Sequence, residues 1–191
     1  METSPADFAL EQEPAPAGRT DKGVGSVPWL GGLEATCEDC MALMARYPDK
    51  HFDLAIVDPP YSDETAGLNV GTGKRAFKLA SFKKPGPEYF AELRRVSREQ
   101  IVWGGNWLAD MLPPSSGFVV WHKHQNGHFS ECEVAWVSHG KARHFDRPYQ
   151  ADIGNKIHPT QKPVALYDWL LANYAKPGQR ILDTHLGSGS H

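Results

Sequence analysis

Asp58, Pro59, Pro60 and Tyr61 stand side by side directly behind the apolar run at residues 54–57. Together they offer a carboxylate, a proline carbonyl with no competing amide, and a flat ring. Neither proline donates a backbone hydrogen bond, so a strand ladder must stop here, and Pro59 pushes Asp58 toward extended geometry. A stiff loop of this composition at a strand end is suited to holding a ligand. A plain turn has less costly spellings.

Other residue types invite chemistry and are weaker. His122, His124 and His128 cluster within seven positions, but no acid or thiol sits at a familiar ligand distance in sequence, so no metal is assigned. Cys37 and Cys40 form a CxxC that lacks the second pair a zinc site needs. Lys74, Arg75, Lys78, Lys83 and Lys84 interleave with Phe77 and Phe82, and Arg94, Arg95 and Arg98 extend that basic cluster. A second basic and aromatic stretch, residues 141–156, holds Arg143, His144, Phe145, Arg147 and Tyr149. The first suits either contact with phosphates or a solvated lysine face, and the second reads as a surface segment that touches something. The chain closes with a glycine loop, Asp183-Thr184-His185-Leu186-Gly187-Ser188-Gly189-Ser190.

Strands and helices must position these groups. Residues 52–57 read as a strand covered on both faces, as in a parallel sheet. Residues 33–36, 100–103, 117–121, 131–138 and 180–183 read as further strands. Helices are expected at 38–46, at 87–96 behind Pro87, at 107–112, and at 163–175, where Tyr167, Leu170, Leu171 and Tyr174 make one stripe. Residues 62–86 are a long polar loop, which inside a compact domain is usually functional or disordered. Open α/β sheets hold ligands at the carboxyl ends of their strands, where both singled-out loops fall.

Composition narrows the class. The 191 residues suffice for one domain, and residues 1–28, rich in proline, alanine and acids, are expected to be a disordered tail ahead of a domain at 29–191. Hydrophobic content of 40% and charged content of 23% are ordinary for a soluble protein. A net charge of -3 decides nothing about nucleic acid, because local patches matter more. With no signal-peptide layout, no membrane-length apolar run and three cysteines, a cytoplasmic location is expected and no membrane partner.

The order of three motifs resembles one family. Asp58-Pro59-Pro60-Tyr61, then His158-Pro159-Thr160-Gln161-Lys162-Pro163 ahead of a helix, then the terminal glycine loop are similar to the amino-group DNA methyltransferases. The match is to their permuted β class, with the catalytic motif ahead of the cofactor motif. The resemblance covers about residues 35–191 and implies an α/β, doubly wound S-adenosylmethionine-dependent methyltransferase fold, truncated after the cofactor glycine loop. The expectation for the chain's end is a fragment of a longer protein.

The resemblance also implies roles. Asp58, Pro59, Pro60 and Tyr61 would be catalytic, with Asp58 and the Pro59 carbonyl each accepting one N–H of the target amine and Tyr61 stacking on a flipped base. Asp39, Cys40, His158, Thr160, Lys162, Asp183, His185, Gly187, Ser188 and Gly189 would hold S-adenosylmethionine. His185 stands where the family usually has Phe. Lys74, Arg75, Lys83, Lys84, Arg143 and Arg147 would contact double-stranded DNA. The DPPY spelling favours N6 of adenine, in a modification role of the restriction-modification type. A cytosine-N4 enzyme, or a non-catalytic DNA-binding fragment, is the alternative.

Overall fold

In the computed structural model the described residues are 32–61, 69–70, 77–78, 83–125, 130–152 and 161–187. The expected tail at 1–28 lies outside them, as does most of the 62–86 loop. Two compact units are distinguished, residues 1–38 and residues 39–191. In the first, residues 34–37 take no regular structure, so the strand expected at 33–36 does not form.

The second unit is built on a six-stranded sheet. Its strands are β1 (Phe52–Val57), β4 (Ser97–Trp103), β5 (Gly117–His122), β6 (Cys132–Val137), β7 (Arg143–Asp146) and β8 (Ile181–Leu182), in the order β7-β5-β6-β4-β1-β8. β8, β1 and β4 run parallel, β6 is antiparallel to β4 and β5, and β7 runs parallel to β5. A separate antiparallel pair joins β2 (Asn69–Val70) to β3 (Phe77–Lys78), inside the stretch expected to be loop.

Alternation along the strands feeds two cores, as a sheet covered on both faces requires. Ala55, Val57, Val102 and Trp136 point to the face covered by α1 (Cys40–Ala45) and α2 (Pro87–Val96), which contribute Met44, Phe90, Leu93 and Val96. Leu54, Ile56, Ile101, Trp103, Val119 and Trp121 point to the opposite face, under Leu166, Tyr167 and Leu170 of α3 (Val164–Tyr174). This is the expected doubly wound α/β arrangement, with an antiparallel strand set into it.

α2 has the expected limits, with Pro87 at its first turn. β4 begins three residues earlier than its apolar run suggests. Ser97 and Gln100 are buried polar residues that satisfy one another: Gln100 Nε2 donates to Ser97 Oγ at 3.1 Å, and Ser97 Oγ donates to the Leu93 carbonyl. The helix expected at 107–112 is a series of turns instead. Six residues nucleate a helix poorly and Pro113 forbids its extension, so buried Leu108 and Leu112 anchor the segment without it.

The basic cluster expected around Arg94, Arg95 and Arg98 is partly structural. Arg95 donates to the Tyr47 and Met44 carbonyls and pairs with Glu92 and Asp49, tying the end of α2 to the end of α1. Arg98 faces Asp53 at 3.7 Å, at the amino end of the parallel strands. Residues 141–156, expected as one surface segment, contain the edge strand β7 and a 3-10 turn at Tyr149–Asp152.

Candidate active site

Strand direction brings the chemistry to one end of the sheet. Asp58 follows β1, Asp183 follows β8 and Gly104 follows β4; these three strands are parallel neighbours, so their loops lie side by side. β5 also ends here, and antiparallel β6 begins here, because Trp121 pairs with Glu133 and His122 with Cys132.

Asp58 is wired into a row of buried charge. Lys162 Nζ donates to Asp58 Oδ2 and also lies 3.3 Å from Glu133 Oε2. Glu133 Oε1 in turn receives Lys123 Nζ at 3.2 Å. Lys162 is 5% exposed and lies over the Trp103 ring at 5.0 Å, and Lys123 is 7% exposed. Two ammonium groups and two carboxylates alternate, so the row is neutral in sum, as burial demands. Burial works against the Lys162 charge, but Asp58 and then Glu133 outweigh it and hold the ammonium above the ordinary lysine range. Burial likewise works to raise the Glu133 carboxyl, yet Lys162 and Lys123 hold it below the usual carboxylate range.

One atom of the row has no partner among the described residues. Asp58 Oδ1 is buried and accepts no hydrogen bond among the described residues. A buried carboxylate oxygen left this way costs roughly 1–3 kcal/mol or more until something donates to it. It is a ready acceptor for a ligand N–H.

Beside it, Tyr61 forms an aromatic step with Trp107, the rings 6.4 Å apart and 16° from parallel. Trp107 is 58% exposed. Burial pushes the Tyr61 phenol up to about 12, so it stays neutral. Gly104 makes the step possible. Its φ is +72°, and a Cβ there would stand 2.3 Å from the Tyr61 ring. Lys84 steadies the same turn through the Trp107 carbonyl at 3.1 Å and faces Asp110 at 3.8 Å.

A cleft of about 290 Å³ is lined by Cys40, Met41, Lys83, Glu88, Tyr89 and His185 among others. His185 meets Tyr89 edge to face at 5.4 Å, and Thr184 Oγ1 lies 2.9 Å from His185 Nδ1 and 2.6 Å from the Tyr89 hydroxyl. Burial pushes the His185 imidazole below its ordinary value, against the pull of Asp183 and Asp58. A neutral ring results, able to pack against a flat ligand. Burial also raises the Cys40 thiol, with Asp39 adding to it.

The expected residues thus divide. Asp58 and Tyr61 meet, and Cys40, His185 and Lys83 line one cleft. Asp39 caps α1, its Oδ1 accepting from the Met41 and Ala42 amides at 3.0 Å. Asp183 Oδ1 accepts from the His185 amide at 2.8 Å, shaping the loop, and Gly187 has a φ of +56°. Lys162, expected at the cofactor, pairs with Asp58. Arg143 packs on the end of α3, donating to Asn173 at 2.6 Å and lying over Tyr174, near the opposite end of β7 from the site. Arg147 follows β7 at the site end. Lys74, Arg75, His158, Thr160, Ser188 and Gly189 lie outside the described residues.

Sequence reasoning missed Lys123, Glu133, Gly104 and Trp107. A signal existed for the first two. Lys123 continues the buried face of Val119 and Trp121, and Glu133 shares the face of Ala135 and Val137. Opposite charges on two adjacent apolar registers announce a buried pair.

Among known proteins, residues 102–190 match the family described as DNA methylase, N6_N4_Mtase. The chain is 25% identical over 173 residues to "Putative methylase YubD" of Escherichia coli K12, covering 80% of this chain and 74% of that protein. Two solved structures of a "Putative DNA Modification Methylase" from Thermus thermophilus superpose with TM-scores of 0.44 and 0.43 at 14% and 16% identity. Each covers 80% of this chain, and 79% and 80% of the respective solved chain; the second was solved with S-adenosyl-L-methionine.

Proposed function

We propose that this chain is an S-adenosylmethionine-dependent DNA methyltransferase acting on an exocyclic base amine, N6 of adenine in double-stranded DNA. The observation that carries the reading is Asp58: one oxygen is held by Lys162, and the other is buried and open beside an aromatic step. The DNA methylase match over residues 102–190 and the resemblance to "Putative methylase YubD" support the same reaction class.

An exocyclic amine is a poor nucleophile because its lone pair is delocalised into the ring. Asp58 Oδ1 accepts one N–H and draws the nitrogen toward tetrahedral geometry, and the Pro59 carbonyl is the second acceptor. Tyr61 and Trp107 offer the face on which a flipped base stacks. Lys162 holds Asp58 Oδ2 and orients the carboxylate, so the acceptor is in place before substrate arrives. Such prepositioning supplies much of the rate in a displacement. As the nitrogen becomes cationic its N–H bond to Oδ1 strengthens, and the surplus proton passes to that oxygen.

The His185–Tyr89 cleft fits S-adenosylmethionine in chemistry: a buried ring, a half-buried ring and a thioether for a flat heterocycle, with Glu88, Lys83 and Lys84 in its lining for polar groups. When bound, that cofactor supplies an electrophilic methyl on a sulfonium sulfur. Lys83, Lys84 and Arg147 are described basic residues at this end of the sheet and the contacts proposed for DNA phosphates.

The test is transfer of a labelled methyl from S-adenosylmethionine to unmethylated duplex DNA, followed by digestion to nucleosides. Label in N6-methyladenine is expected. Label in N4-methylcytosine would reassign the base, and label in neither, or in RNA or protein alone, would overturn the reading.

A further inference from the structure

The tripeptide His122-Lys123-His124 closes β5 with its side chains divided. Lys123 turns inward to Glu133, while the two imidazoles turn toward the edge strand β7, 4.1 Å apart between ring centres. The parallel register sets His122 opposite Asp146. Asp146 answers both rings, with Oδ2 3.2 Å from His122 Nδ1 and Oδ1 2.6 Å from His124 Nε2. The candidate ligand atoms of all three residues lie within 4.8 Å of one another. His124 reaches this position with a φ of +51°, a conformation a non-glycine residue adopts at a cost.

We propose that His122, His124 and Asp146 form a binding site for a zinc-class divalent cation. Two imidazoles and one carboxylate are the donor set that selects zinc, cobalt or nickel over magnesium or calcium. Tetrahedral coordination at about 2.0–2.1 Å places neighbouring donors about 3.3 Å apart, so the cluster reaches it by small side-chain rotations. Three protein ligands leave a fourth position for water. The ion links β5 to β7, an edge strand that pairs with β5 and is mostly exposed. The site lies at the same sheet end as Asp58, three strand positions away from β5 to β1, or about 14 Å at ordinary strand spacing. It is independent of the methyl-transfer reading, because no residue is shared.

The sequence offered two histidines and withheld the acid. Asp146 lies 22 residues beyond His124, and the β5–β7 pairing brings it in.

The experiment is calorimetric titration of chelator-stripped protein with zinc chloride, alongside cobalt absorption spectra and thermal melts. One ion per chain is expected at these residues, with a higher melting temperature in zinc. His124→Ala and Asp146→Asn should each weaken uptake by about tenfold or more. Cys37→Ser/Cys40→Ser should leave it unchanged. No stoichiometric uptake, uptake that survives His122→Ala/His124→Ala/Asp146→Asn, or uptake lost in the cysteine variant would each overturn the proposal. The melts also report whether each variant is folded, so lost binding in a folded protein is distinguishable from lost structure.

Discussion

Two carboxylates in this protein each stand between two basic side chains, and burial makes them different devices. Glu133 lies between Lys123 and Lys162, whose side chains are 9% and 4% exposed. Asp146 lies between His122 and His124, both 40% exposed or more. Residues 122–124 feed both clusters, with strand alternation sending the odd residue inward and the even ones outward. In the interior, desolvation is severe, so charges must balance and the geometry is fixed. At the surface, water screens the same pattern, and the groups stay available for an external partner. The buried row therefore suits holding a catalytic carboxylate, and the exposed cluster suits capturing an ion.

Breaking the inner row should have the largest effect on stability. Lys162→Met leaves Asp58 and Glu133 without the cation between them, and the loss of one partner from a buried pair costs about 3–5 kcal/mol. Urea denaturation should show that drop; a variant as stable as wild type would mean the row is solvated in solution.

Gly104→Ala leaves both charge clusters intact and displaces the Tyr61 ring. A shift of this kind should lower methyl transfer about 10²-fold. An unchanged rate would remove Tyr61 from the reaction.

Glu133→Gln should cost less, about 2 kcal/mol, because its side chain is 28% exposed. Its pH dependence sharpens the assignment. The Glu133 carboxyl is held below its ordinary 4.5, so its stabilisation is present above that value and is lost as pH falls through the folded value. Lys162 is held above its ordinary 10.5, so its share persists below that value and is lost only as pH rises through the folded one. Stability of the wild type should fall on the acid side below 4.5 and hold to beyond 10.5. Glu133→Gln should shrink the acid limb; an acid limb identical to wild type would deny Glu133 the role. Smallest of all, Asp146→Asn in metal-free buffer should leave the urea midpoint unmoved. A large shift there would make the outer cluster structural, like the inner one.

The two regions also differ in how far the sequence revealed them. Asp58-Pro59-Pro60-Tyr61 was legible because proline writes its own constraint on the backbone, and α2 was legible because Pro87 and its apolar stripe agree. Lys162 was visible as part of a motif, while its pairing with Asp58 was not, since only folding sets the loop before α3 over Asp58. Lys123 and Glu133 were legible in principle as charges on apolar registers. The acid of the outer cluster was hidden by a parallel pairing, which short-range spacing cannot express. Gly104 and Trp107 read as an ordinary turn, because the ring they accommodate belongs to a loop more than 40 residues earlier.

The most direct measurement is the single-turnover rate of methyl transfer to duplex DNA by wild type and by Asp58→Ala, with the fold of each checked by thermal melt. The variant loses both the open Oδ1 acceptor and the oxygen that Lys162 holds. A folded Asp58→Ala protein should be slower by at least about 10²-fold. Transfer at the wild-type rate would contradict the role of Asp58 on which the whole reading rests.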